Sequence, residues 1–126
     1  MATVSAALIS VIDDDESMRL GIAGLVRSLG FGASAHASAE DFLASDDHRN
    51  ARCIITDIQM PGLSGIDLKR RLTADGCDAP VIMITARSED ALRDEARACG
   101  AFCFLRKPFK DSDLIVCLER ALAGGT

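Results

Sequence analysis

Four places in this 126-residue sequence end a short apolar run in residues able to do chemistry: Asp13-Asp14-Asp15-Glu16, Asp57, Thr85 and Arg106-Lys107-Pro108. If these endings share one rim, Asp13, Asp14 and Asp57 form a carboxylate cluster facing a single ammonium, that of Lys107. Three ionised carboxylates in close company repel, so one holds a proton or a cation joins them. Magnesium suits such a site, because it takes hard oxygen ligands, often one or two carboxylates beside a phosphate oxygen. Three carboxylates then balance one Mg²⁺ and one lysine. Asp57, placed just before Met60-Pro61-Gly62, has the chemistry of a nucleophile able to accept a phosphoryl group as an acyl phosphate. The Thr85 hydroxyl and the Lys107 charge suit the oxygens of such a group.

Each residue also has a plainer reading. Asp57 alone could serve its own turn, Thr85 could simply favour a strand, and Lys107 could be solvated. The acidic run could complement a helix amino terminus. We assign Asp15 and Glu16 to that cap, and Asp13 and Asp14 to the site.

These residues need elements to position them. Apolar runs expected as strands lie at Ala7–Ile12, Cys53–Thr56, Val81–Ile84 and Phe102–Leu105, with a weaker one at Gly32–Ala37. Between them, Met18, Ile22, Leu25, Val26 and Leu29 make one helical stripe, and Leu114, Ile115, Leu118 and Leu122 another. Ser38 and Ser88 read as helix caps, and Ile66, Leu68 and Leu72 mark a helix near 66–74. Strand and helix thus alternate five times. Nearly all-apolar strands joined by helices predict a parallel α/β sandwich, covered on both faces. In such sheets the site lies beyond the carboxyl ends of the strands, where the strand order reverses. For an order of 2-1-3-4-5, that rule brings Asp13, Asp14 and Asp57 together, with Thr85 and Lys107 alongside.

Composition narrows the classes. With 14 Lys+Arg against 19 Asp+Glu, the net charge of −5 argues against a nucleic-acid groove. No apolar run is long enough for a bilayer and the amino terminus lacks a basic signal start, so a cytoplasmic location is expected. Five cysteines in no C-x-x-C pair read as reduced, mostly packed thiols. His36 and His48 read as ordinary surface residues outside the site. The length suits one domain over 1–126, with Gly124-Gly125-Thr126 as a frayed tail or linker start.

The segments Val11-Ile12-Asp13-Asp14-Asp15-Glu16, Thr56-Asp57-Ile58-Gln59-Met60-Pro61-Gly62-Leu63-Ser64-Gly65, Ile82-Met83-Ile84-Thr85-Ala86 and Phe104-Leu105-Arg106-Lys107-Pro108-Phe109 resemble the response-regulator receiver family of two-component signalling. The likeness spans essentially the whole chain. It implies a flavodoxin-like (βα)₅ fold and a phosphorylation switch rather than a turnover enzyme, with Asp57 accepting a phosphoryl group from a sensor histidine kinase. It further implies Mg²⁺ held by Asp14, Asp57 and the Gln59 main-chain carbonyl, with Asp13 acting through water. Lys107 and Thr85 would bind phosphoryl oxygens, Ala86 would leave them room, and Lys107-Pro108 would be cis. Phe104 would be the switch ring, filling space vacated when Thr85 moves inward. The change would reach the face formed by the helix after Asp90, the strand of Phe104 and the last helix. That face is expected to dimerise or to meet an output domain.

Gln59 and Arg87 flank the route of attacking water and are expected to tune phosphoryl lifetime. Three other readings compete. An aspartyl phosphatase wants Asp-x-Asp, whereas Asp57-Ile58-Gln59 carries an amide. A flavin mononucleotide site would set its phosphate against four acids after the first strand. An adaptor independent of phosphorylation would have no need of the complete Asp, Thr and Lys set.

Overall fold

The computed structural model describes residues 7–87 and 89–124. Five strands, β1 (Leu8–Ile12), β2 (Gly32–His36), β3 (Ala51–Asp57), β4 (Val81–Thr85) and β5 (Cys103–Arg106), form one parallel sheet in the order β2-β1-β3-β4-β5. Helices α1 (Glu16–Ser28), α2 (Ala39–Ala44), α3 (Asp47–Asn50), α4 (Gly65–Ala74), α5 (Asp90–Ala98) and α6 (Asp111–Gly124) connect and cover it.

Alternation along the strands sorts the core into two layers, since successive strand side chains face opposite ways. Ile9, Val11, Cys53, Ile55, Ile82 and Ile84 meet Ile22, Ala23 and Val26 of α1 and Leu114, Leu118 and Ala121 of α6. Ile12, Ile54, Val81 and Met83 face the other way, onto Phe42 of α2, Leu68 and Leu72 of α4, and Ala96 of α5. Both faces of the central strands are therefore dry, which is why those strands read as unbroken apolar runs.

Helix starts follow local chemistry. Asp15 caps α1, accepting from the N–H groups of Ser17 and Met18, and Ser38 caps α2 through the Asp41 N–H. Ser64 and Asp67 form a reciprocal capping box at α4. The cap expected at Ser88 lies outside the described residues.

The structure corrects several boundaries. The third and fourth strands run on to include Asp57 and Thr85 themselves, and the fifth begins one residue later, at Cys103. Gly124, expected in the frayed tail, is the last residue of α6. A one-turn helix, α3, interrupts the strict alternation; its Asp-His-Arg-Asn sequence offers no apolar stripe to read.

His36 and His48 are half-buried rather than superficial. They pack edge-on against Phe42 at 5.4 and 6.1 Å, and His36 Nε2 lies 2.9 Å from Asp47 Oδ2. The cysteines are free thiols. Burial pushes the Cys53 thiol up to about 12, and Cys117 likewise, so both stay protonated at neutral pH.

Candidate functional site

Strands β1 and β3 lie side by side where the order reverses, and both end in acids. In strand parity Asp57 continues Cys53 and Ile55, and Asp13 continues Ile9 and Val11, so both leave the sheet on the α1/α6 side. Asp13 and Asp57 are buried, while Asp14 is exposed. One carboxylate oxygen from each of the three lies within 4.8 Å of the others.

Lys107, carried past the end of β5, reaches this cluster from the side. Its Nζ is 3.3 Å from Asp13 Oδ2 and 3.6 Å from Asp57 Oδ2. Hydrogen bonds fix the acids as well. Asp13 Oδ1 accepts from the Asp15 N–H at 2.9 Å, and the Arg19 guanidinium donates to the Asp13 carbonyl at 2.8 Å. The Lys107-Pro108 peptide bond is cis.

The electrostatics are those of a crowded anionic pocket. Burial pushes Asp57 up to about 6, and the Asp13 and Asp14 charges add to the rise, while Lys107 opposes it. One ammonium does not balance three carboxylates, and the donor set is hard oxygen throughout. The residues present therefore fit a small divalent cation such as magnesium.

Thr85 sits differently. By parity it continues Val81 and Met83 and leaves the sheet on the α5 side. Its hydroxyl donates to Gln59 Oε1 at 2.6 Å and accepts from the Arg87 N–H at 3.0 Å. The Arg87 side chain turns outward onto Glu89, with Nε 3.0 Å from Oε1, instead of facing Asp57. Ala86 is exposed beside it. Phe104 is the register partner of Met83 and half-buried against the layer that holds Ala96 and Leu72. A cleft of about 260 Å³, lined by Arg93, Arg97, Phe102, Phe104 and Cys117, opens on that face. A larger cleft lies at the other end of the sheet, where Ala51 begins β3 and Pro80 precedes β4, away from every acid of the cluster.

A family model, the response regulator receiver domain, matches residues 9–119. The chain belongs to this family. The receiver domain is 39% identical over 114 residues to the transcriptional regulatory protein FixJ of Azorhizobium caulinodans, covering 90% of this chain and 54% of that protein. It thus spans about half the length of the curated relatives it matches. Among solved structures it resembles FixJ-N, with a TM-score of 0.85 and 36% identity over 95% of this chain and 96% of that one. The response regulator StyR superposes with a TM-score of 0.88 and 35% identity, covering 96% of this chain and 61% of that one. Among the described residues, no helix of the receiver domain is long and apolar enough to cross a membrane.

Three supporting residues escaped the sequence reading. A Cβ on Gly65 would come within 2.5 Å of the Asp57 carbonyl, so α4 can start this close to β3 only with glycine there. Glu40, on α2, accepts from the Leu63 N–H at 3.0 Å and so clamps the loop after Asp57. Arg19, on α1, donates to the Asp13 carbonyl and so steadies the end of β1. The Ser64-x-x-Asp67 spacing was the one available signal for the α4 start; Glu40 and Arg19 gave none, because their partners lie on other elements or on main chain.

Proposed function

We propose that this receiver domain is a phosphorylation-dependent switch in which Asp57 accepts a phosphoryl group from the phosphohistidine of a sensor kinase. The observation that carries the reading is the Asp13, Asp14 and Asp57 cluster with Lys107 bridging its two buried members. An Asp57 carboxylate oxygen attacks phosphorus, the P–N bond of the phosphohistidine breaks, and the imidazole leaves neutral after taking a proton. Asp57 must be ionised to attack, so it is poised near neutrality by the opposition of burial and Lys107. Lys107 is the fixed charge for phosphoryl oxygens, and Thr85 is their hydroxyl donor once it turns toward them.

Asp14, Asp57 and the Gln59 carbonyl would hold Mg²⁺, with Asp13 engaged through water. When bound, the ion offsets the clustered carboxylates and the charge on the transferring group. Movement of Thr85 would leave space on the α5 side of the sheet, which the Phe104 ring would fill; its register with Met83 supports this reading. The α5, β5 and α6 face, with Phe102 exposed on it, then changes its affinity for an output domain or a second copy. Hydrolysis of the acyl phosphate is slow and self-catalysed, with Gln59 and Arg87 at the flanks setting its rate. The acidic surface takes no direct part in nucleic-acid binding, and the working compartment is the cytoplasm, where kinases draw on ATP.

Incubation with a small phosphodonor such as acetyl phosphate and Mg²⁺ should add one phosphoryl group, read by intact mass. Asp57→Asn should abolish it, and chelation of the metal should suppress it. Undiminished labelling of Asp57→Asn would remove the assignment; multiple turnover of phosphate esters would replace the switch by a phosphatase.

A further inference from the structure

To serve a phosphoryl group the Thr85 hydroxyl has to be free, but in the resting chain it is already engaged. A hydroxyl has one hydrogen to donate. Here that hydrogen goes to Gln59 Oε1, 26 residues away in sequence, and the Arg87 N–H occupies a lone pair. The amide oxygen is the end of the Gln59 side chain set against the hydroxyl, at 2.6 Å. Thr85 is fully buried, so water does not readily replace a partner that leaves. Gln59 lies two residues after Asp57, on the loop that Glu40 clamps through Leu63. The amide is therefore carried by the same short segment as the phosphoryl acceptor.

We propose that the Gln59 side chain is a resting-state latch, its amide oxygen holding the sole hydrogen of Thr85 away from Asp57. Phosphorylation has to break this bond before Thr85 can turn, so Gln59 sets the balance between resting and active arrangements in addition to flanking the path of water. This deepens the switch reading and rests on it. A net hydrogen bond of ordinary strength corresponds to about a three- to ten-fold bias in such an equilibrium.

The test is a double-mutant cycle with beryllofluoride and Mg²⁺ as the phosphoryl mimic, titrated into the whole chain. Gln59→Leu should tighten beryllofluoride binding about three- to ten-fold, and Gln59→Asn, whose amide is one methylene shorter, should act in the same direction. In a Thr85→Val background the same Gln59 substitutions should change affinity by less than about two-fold, because the hydroxyl they release is gone. The Thr85 methyl resonance of unliganded Gln59→Leu should also move toward its beryllofluoride-bound position. Unchanged or weaker binding by both Gln59 variants overturns the latch, as does an equal effect with and without the Thr85 hydroxyl. The parent reading is checked separately: beryllofluoride binding that survives Asp57→Asn at full affinity sinks the acceptor assignment, whereas binding lost there with no coupling in the cycle sinks the latch alone.

Discussion

The two faces of the sheet are built for opposite purposes. On one, α1 buries Ile22, Ala23 and Val26 and α6 buries Leu114, Leu118 and Ala121, and from this side Asp13 and Asp57 meet Lys107. On the other, α2 and α4 bury Phe42, Leu68 and Leu72 just as firmly, but α5 buries only Ala96 fully, and it lies on the side that carries Thr85, Gln59 and the half-buried Phe104. The charged groups stand on firmly packed elements, where displacement would be costly. The half-buried Phe104 ring and α5 are the parts of this side that little packing holds. A charge gained beside Asp57 can thus be registered by motion of α5 and the ring, since local opening is easiest where few apolar contacts hold an element.

Experiments can break or sharpen this contrast, and the largest effect is expected at Lys107. Lys107→Ala should cut the rate of labelling by acetyl phosphate about a hundred-fold or more, because a fixed charge aimed at phosphoryl oxygens is lost. A rate within a factor of about three of the parent would move the chemistry away from this side of the sheet.

Packing comes next. Leu118→Ala on α6 should cost about 3 kcal/mol in urea unfolding, whereas Leu92→Ala on α5, a half-buried residue, should cost about 1 kcal/mol. Equal costs would erase the asymmetry. Hydrogen exchange should agree, with α5 amides opening well before those of α6.

Asp57 tests the charged side through pH. Its pKa rises on folding from 3.8 to about 6, so the folded state binds this proton more tightly than the unfolded one. The stability this contributes is complete below about pH 4 and is lost as pH climbs through 6. At pH 7.5 without divalent metal, Asp57→Asn should therefore be more stable than the parent by about 3 kcal/mol, a gain that falls to about 1 kcal/mol at pH 4.5. Added Mg²⁺ should narrow the gap by stabilising the parent selectively. A gain that stayed constant between pH 4.5 and 7.5 would mean that the Asp57 charge is not what strains the pocket.

The smallest effect concerns Glu40. Replacing it by Gln keeps an oxygen for the Leu63 N–H but drops the charge, so Glu40→Gln should lower stability by less than about 1 kcal/mol. Glu40→Ala should additionally raise the Mg²⁺ concentration needed for half-maximal labelling, because the loop bearing the Gln59 carbonyl loses its tether.

What the sequence by itself determined is the set of strands and, once the order that goes with the family resemblance is assumed, the convergence of Asp13, Asp14, Asp57 and Lys107. Those features are written in local patterns: dry strands read as apolar runs, and residues just past their ends land on one rim in a parallel sheet. The helical stripes of Ile22 and Val26, and of Leu114 and Leu118, were legible for the same reason. What only the tertiary structure decided is how the polar side chains pair. Thr85 donates to Gln59, Arg87 turns onto Glu89, His36 meets Asp47, and Glu40 holds Leu63. The rise in the Asp57 pKa is likewise a property of the closed pocket. A hydrogen bond depends on tenths of an ångström and on which of several acceptors is nearest, whereas burial depends on periodicity summed over many residues; the second survives in a one-dimensional string and the first does not.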